Sequence, residues 1–265
     1  MSNINRWQKI DITPSSLRNM YEVDEMTIPK IAKQLSASHI TIKKMLLDIG
    51  VTKRSNKEDA LIGQRSRLKF ANINKDFRSV INGCLLGDGC IVNKTNRQAY
   101  YQHSDRHEDY ILFLEDCFNT YGIKTSVAYV AASTDKRGVK SKEGWVLRSK
   151  SYVDLLNIYR QWYVPHKKVP KDFKIDKVSF IHWWIGDGYL NKKHGWGSLA
   201  THGFTFEENI FLIKQLQTIT KNNICTQKHY DKYYIYLSRK AINDLLDYVG
   251  ESPIESYSYK WRKHA

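Results

Sequence analysis

The chain has 265 residues, 42% of them hydrophobic, and 42 Lys and Arg against 27 Asp and Glu give a net charge of +15. That length suits one large domain or two modest ones, and the basic excess suits a polyanion, with nucleic acid ahead of an anionic membrane. No apolar run approaches the roughly 20 residues of a spanning helix, and the four cysteines, Cys84, Cys90, Cys117 and Cys225, form no Cys-x-x-Cys pair. They point to reduced core thiols rather than a disulfide framework or a zinc site. Residues 1–6 hold no apolar signal region. A cytoplasmic protein is expected, bacterial or phage-encoded, with an organelle as the alternative.

Residues 13–50 predict three short helices. Thr13 caps the first, with Pro14 at its first position and Leu17, Met20 and Tyr21 at helical spacing. Thr27 caps the second, whose Ile28, Ile31, Ala32 and Leu35 share one face. Ser38 caps the third, Ile42, Met45, Leu46 and Ile49 form its stripe, and Gly50 follows as a C′ residue. Its other face offers His39, Thr41, Lys43 and Lys44. The pattern resembles a prokaryotic helix-turn-helix, whose third helix enters the major groove. One departure is Ser36, where such turns often carry Gly. The plainer alternative is a small all-α bundle that only packs against the rest.

The next stretch, 53–77, is expected as a basic linker after a domain at 1–52. From 51 to 78 the basic residues are Lys53, Arg54, Lys57, Arg65, Arg67, Lys69, Lys75 and Arg78, against Glu58, Asp59 and Asp76. It reads as a solvated linker or as a tether along phosphates, with Arg54 a candidate DNA contact.

From residue 78 onward the chain repeats itself. Ile81-Asn82-Gly83-Cys84-Leu85-Leu86-Gly87-Asp88-Gly89 returns as Phe180-Ile181-His182-Trp183-Trp184-Ile185-Gly186-Asp187-Gly188, which sets Asp88 and Asp187 99 residues apart. Alone, either Asp-Gly is a common turn. At the same offset Gln102-His103 matches Thr201-His202, and Ile111-Leu112-Phe113-Leu114 matches Ile210-Phe211-Leu212-Ile213. Later, Leu147-Arg148-Ser149-Lys150 matches Leu237-Ser238-Arg239-Lys240 at an offset of 90, which implies a longer loop in the first copy near 133–143. Each copy, 78–170 and 171–265, predicts helix, hairpin, helix, hairpin, helix. The fold class is α+β: a pseudo-twofold pair of αββαββ(α) repeats forming a saddle, preceded by the all-α unit.

Two apolar helices packed side by side would bring their C-terminal ends together, with Gly83 and Gly87 permitting close approach. Helix-end carbonyls carry partial negative charge, and an Asp at each end adds a full one. Such a cluster suits Mg²⁺.

Residues 79–265 resemble the LAGLIDADG homing endonucleases in their single-chain, two-repeat form. The markers are the two Gly-Asp-Gly runs, Trp162-Tyr163 with Lys167-Lys168-Val169-Pro170-Lys171, Thr201-His202-Gly203-Phe204-Thr205-Phe206-Glu207-Glu208, and the closing Tyr259-Lys260-Trp261. The resemblance implies Asp88 and Asp187 as metal ligands, with the carbonyls of Gly87 and Gly186 beside them. It implies Mg²⁺ as cofactor, with Mn²⁺ able to substitute. It also implies a lysine near each site: Lys167 or Lys168 for one half and Lys260 for the other. The implied activity is cleavage of both strands of a long asymmetric double-stranded DNA target by a monomer, promoting intron or gene mobility. The alternative is a non-cleaving binder, an intron maturase or a transcription regulator. A departure is His182 in place of the first copy's Gly83, which makes the two halves unequal; it is expected as a core or interface histidine.

Strand alternation selects residues for the groove-facing side of each sheet. Leu199 and Thr201 inward leave Ser198, Ala200 and His202 outward. The equivalent first-copy set is Ala99, Tyr101 and His103, extended back to Arg97. Leu147 and Leu237 inward leave Arg148, Lys150, Tyr236 and Ser238 outward, with Tyr234 on the same face. Lys192, Lys193, Lys228 and Tyr230 are candidates at loops and strand ends.

Overall fold

A computed structural model describes residues 10–55, 58–59, 68–71, 73–94, 96–134, 138, 140–163 and 165–261. Of the basic residues of the expected linker, Lys57, Arg65 and Arg67 lie outside the described residues. The chain divides into two compact units, Met1–Leu68 and Lys69–Ala265.

The first unit contains α1 (Pro14–Glu22), α2 (Ile28–Gln34) and α3 (His39–Asp48). Thr13 accepts a hydrogen bond from the Ser16 amide and Ser38 from the Thr41 amide, so both side chains cap as their types dictate. Thr27 precedes α2 without a side-chain cap bond. The apolar stripes meet in one core of Leu17, Tyr21, Ile28, Ile31, Ala32, Ile42, Met45, Leu46 and Val51. Ser36 closes α2 at φ 50°, while the Ala37 amide donates to the Ala32 carbonyl at 2.9 Å. A Cβ in that region costs about 1 kcal/mol relative to glycine. Ser36→Gly is therefore expected to stabilise this unit by about that amount, read as higher hydrogen-exchange protection of α2 and α3 amides. Unchanged or lower protection would refute the strain.

Arg54 belongs to this unit, which corrects its placement as a linker contact to DNA. Its guanidinium lies 3.7 Å over the Tyr21 ring and donates to the Met26 carbonyl at 2.6 Å. Its Nε sits 3.4 Å from an Asp59 carboxylate oxygen. Stacking, a backbone acceptor and an ion pair commit the group internally.

The second unit runs α4 (Lys75–Leu86), β1 (Cys90–Asn93), β2 (Ala99–Asp105), α5 (Glu108–Thr120), β3 (Thr125–Val130), β4 (Ser133–Thr134), β5 (Lys140–Ser141), β6 (Gly144–Ser149) and α6 (Val153–Tyr163). The same succession returns as α7 (Lys177–Asp187), β7 (Gly188–Leu190), β8 (Gly197–Leu199), α8 (Phe206–Leu216), β9 (Ile224–His229), β10 (Lys232–Leu237) and α9 (Arg239–Val249), and a 3₁₀ turn, Glu255–Lys260, follows. The two sheets have strand orders β1-β2-β6-β3 and β7-β8-β10-β9, the same order in each copy. The longer first-copy loop contains the small β4–β5 ladder, whereas β9 and β10 are joined at Tyr230 and Asp231.

Helices α4 and α7 form the seam. Asn74 caps α4, and an Asp176–Ser179 capping box starts α7. Phe180, Trp183, Trp184 and Ile185 are all buried; beyond its exposed first turn at Lys177 and Val178, α7 has no exposed residue and so no solvent face to keep polar. His182 is also buried. It lies 3.1 Å from the Tyr110 hydroxyl and stacks on Phe113.

The face assignment of β2 is corrected. Ala99, Tyr101 and His103 are buried, and Tyr100, Gln102 and Ser104 alternate to the other side. A constant offset of 99 would turn the pairing of Cys90 with Gln102 into Tyr189 with Thr201; Tyr189 instead pairs with Ser198. The second hairpin is three residues shorter. An odd slip carries every side chain to the opposite face. The Tyr101 hydroxyl and His103 Nδ1 are 2.9 Å apart in the core, and burial pushes His103 down to about 4. Neither residue can touch DNA in this arrangement.

Candidate metal and nucleic-acid site

Asp88 and Asp187 are held by the ends of the two seam helices. Gly87 and Gly89 both donate backbone bonds to the Cys84 carbonyl, at 3.1 and 2.9 Å, which turns the chain tightly at Asp88. Asp187 is the last residue of α7, and its carbonyl accepts from the Ala200 amide at 3.0 Å. The helix ends nearly touch: a Cβ added to Gly87 would lie 3.4 Å from the Gly186 Cα, and one on Gly186 would lie 3.5 Å from Asp88 Oδ2.

Burial and then the neighbouring Asp88 push the Asp187 carboxyl up to about 7. Asp88, the more exposed of the two, is raised first by burial and then by Asp105. Lys167 and Lys260 oppose both shifts without cancelling them. At both carboxylates burial is the larger cause and neighbouring acidic charge adds to it.

Lys167 Nζ lies 3.5 Å from the Gly87 carbonyl. Lys168 is turned away, lining a groove with Gln161, Glu207, Glu208 and Phe211. Between these two, Lys167 is the residue at the helix end. Lys260 reaches α7 instead, its Nζ 2.5 Å from the Ile185 carbonyl and 3.3 Å from those of Trp184 and Gly186. Burial lowers Lys260 to about 8, while Asp88, Asp187 and Asp105 favour its charge. Burial also lowers Lys167. Each lysine thus satisfies carbonyls at the C-terminus of its own repeat's helix, where the dipole favours a cation. The Gly87 and Gly186 carbonyls face these lysines. Among the described residues, no group of three or more His, Cys, Asp and Glu side chains is placed to hold a metal ion; what the site offers is a carboxylate pair.

Sequence reasoning missed Asp105 and Tyr257. The Tyr257 hydroxyl donates to Asp105 Oδ2 at 2.6 Å, and the Ser256 amide donates to Asp109 at 3.1 Å. The terminal 3₁₀ turn of repeat two is thereby clasped to repeat one and delivers Lys260. Asp88, Asp105, Lys260 and Tyr257 line one open cavity of 610 Å³, with Arg106 and Lys142 in its wall. At the 99-residue offset Asp105 faces Phe204, so the repeat carries no signal for it.

The proposed groove-facing residues sort by position. Arg97, Arg148, Lys150, Lys192 and Lys193 are exposed, as are Tyr230 and Ala200, while Ser198, Tyr234 and Tyr236 are half-buried on the outward face of the second sheet. His202 stands beside Tyr234 and His229. Ser238 caps α9 through the Ala241 amide, which accounts for its hydroxyl. Lys228 pairs with Tyr233, two residues from Thr226 opposite the buried Ile235, and so has the helix-side parity rather than the outward one. In the first unit His39, Lys43 and Lys44 are exposed, and the Thr41 hydroxyl is 2.8 Å from Ser38 Oγ.

A family model described as the LAGLIDADG DNA endonuclease family matches residues 78–245. Over 197 residues the chain is 29% identical to the uncharacterized protein MJ1098 of Methanocaldococcus jannaschii, covering 72% of this chain and 75% of that one. The homing endonuclease I-WcaI bound to its DNA recognition sequence is similar in fold, with TM-score 0.65 and 19% identity, over 82% of this chain and 96% of that chain. I-DmoI in complex with DNA and Ca matches at TM-score 0.42 and 12% identity, over 71% and 98%. No helix of the described residues is long and apolar enough to cross a membrane.

Proposed function

Because the chain belongs to the LAGLIDADG DNA endonuclease family, we propose that it is a Mg²⁺-dependent, sequence-specific endonuclease that cuts both strands of a long asymmetric DNA target. The observation that carries this is the meeting of Asp88 and Asp187 at two helix ends, with a lysine at each. The oxygen-only donor set fits a hard cation such as Mg²⁺, or Mn²⁺ in its place. Beside burial, acidic neighbours raise both carboxyls, and a bound cation would offset that part of the push. When bound, the metal would supply an activated water and offset charge on the phosphate oxygens.

The chain's own residues do the rest. Asp88 and Asp187 hold negative charge at the seam, so both strands are served from one centre. Lys167 and Lys260 place cations beside the two carboxylates and offset charge building on the phosphates in the transition state. The two sheets lie along the major groove, and the three-helix unit adds contacts through His39, Lys43 and Lys44. A monomer with two unlike halves suits an asymmetric site. The break would promote mobility of an intron or of the protein's own gene.

The test is to select a target from randomised duplex DNA by binding, then incubate it with the protein and Mg²⁺. Cleavage of both strands at the bound site is expected. A bound target left intact in Mg²⁺ and in Mn²⁺ would overturn the enzymatic proposal and favour a non-cleaving binder.

A further inference from the structure

The outward face of the first sheet is nearly uncharged. Across its four strands one row of paired residues reads Cys90, Gln102, Arg148 and Ser126. The next row contains Ser104, Val146 and Ala128. Among the described residues of β1, β2, β3 and β6, Arg148 is the one Lys or Arg. It stands on the inner strand β6 and is exposed, between Gln102 and Ser126 in its own row. Its Nε donates to Gln102 Oε1 at 2.8 Å. Neither Nη group makes a hydrogen bond to another described residue. The guanidinium is thus held at one edge, with its other donors unpartnered among the described residues.

A phosphate-binding cation belongs at the margin of a groove-filling sheet, where Lys124 and Lys150 sit just beyond the strand ends. A cation at the middle of the face meets base edges instead. Two parallel N–H donors there match the O6 and N7 acceptors that guanine alone presents in the major groove. The second sheet is different. Its corresponding row is Tyr189, Ser198, Tyr236 and Cys225, followed by Tyr234 with Gln227. These rows have hydroxyls and rings but no cation, and Lys232, which shares their outward parity, stands at the hairpin end of β10 opposite His229.

We propose that Arg148, braced by Gln102, reads one guanine in the half-site under repeat one, and that repeat two has no equivalent reader. This rests on the proposed docking of the sheets in the major groove.

The experiment is binding selection from randomised duplexes, without cleavage, using the wild-type protein, Arg148→Ala, Gln102→Ala and Lys150→Ala. The wild type is expected to select a G·C pair at one position of one half-site. Arg148→Ala flattens that position alone, with a loss of roughly ten- to hundredfold in discrimination. Gln102→Ala weakens the same position less, and Lys150→Ala lowers affinity evenly over all positions. Replacing the guanine by 7-deazaguanine, which lacks the N7 acceptor, weakens the wild type about tenfold and leaves Arg148→Ala unaffected. An even loss with Arg148→Ala, or no change, would overturn the proposal while leaving the endonuclease assignment standing. If the wild-type protein selected no sequence at all, both would fall.

Discussion

Asp88→Asn and Asp187→Asn are each expected to lower double-strand cleavage by at least about 10³-fold while leaving target affinity within a few-fold. Asparagine keeps the shape and removes the charge. A bound divalent ion contributes several kcal/mol of charge stabilisation, and each tenfold in rate is about 1.36 kcal/mol. Binding draws on sheet faces and basic loops far more than on two carboxylates at the seam. Nicking assays on each labelled strand, with gel-shift titrations, measure the two effects separately. Unaltered cutting by either variant would refute the ligand assignment.

The same carboxylates give that experiment a pH dependence and a stability signature. Asp187 must be ionised to hold a cation, and burial together with Asp88 raises its carboxyl to about 7. At sub-saturating Mg²⁺, cleavage is expected to fall as pH drops through about 7, and added Mg²⁺ should move the fall lower. Stability runs the other way. A carboxyl raised in the folded state binds more protons there than in the unfolded chain. Between its unfolded value near 3.8 and about 7, stability decreases as pH rises. Metal-free Asp187→Asn should therefore melt above the wild type at pH 8, by about 1 to 2 kcal/mol after solvent screening. The difference should vanish near pH 4. A variant that melts lower at pH 8 would show that burial and Asp88 do not raise this carboxyl.

Much of this architecture was legible because local chemistry and the repeat agree. Thr13, Ser38 and the apolar stripes place the first three helices without tertiary information. The paired Gly-Asp-Gly runs announce two helix ends, and the matching segments behind them announce two sheets of like strand order. Legibility failed where a long-range pairing decides. The three-residue difference between the β1–β2 and β7–β8 hairpins leaves no mark in composition, yet it turned Tyr101 and His103 into the core. Arg54 looked like a free linker cation until Tyr21, Met26 and Asp59 closed around it. Asp105 and Tyr257 meet across 152 residues of chain, and no periodicity reports such a contact. Lys167 and Lys168 could be told apart only by which one faces the helix end.

Gly83→Ala tests the seam itself. A Cβ at this position would lie 2.3 Å from the Ser179 carbonyl oxygen, 2.8 Å from the Ser179 Cα and 2.9 Å from the His182 Cβ. The first two are backbone atoms, so no rotamer change relieves the clash; α4 and α7 must move apart. Overpacking of this kind costs about 3 kcal/mol, a large share of the stability of a domain this size. His182, standing where the first copy has Gly83, explains why only one glycine is needed: the second helix fills the space that the first leaves. Gly87→Ala is the matched comparison. Its Cβ would meet the Gly186 Cα at 3.4 Å, a contact that a shift of a few tenths of an ångström accommodates. Urea titrations should show a large midpoint drop for Gly83→Ala and a small one for Gly87→Ala. Cleavage, assayed where both variants remain folded, should fall in both, because each displaces the helix ends that hold Asp88 and Asp187 together. If Gly83→Ala unfolded at the wild-type midpoint, the helices would have room to spare. The close approach at the seam would then not be what positions the two carboxylates.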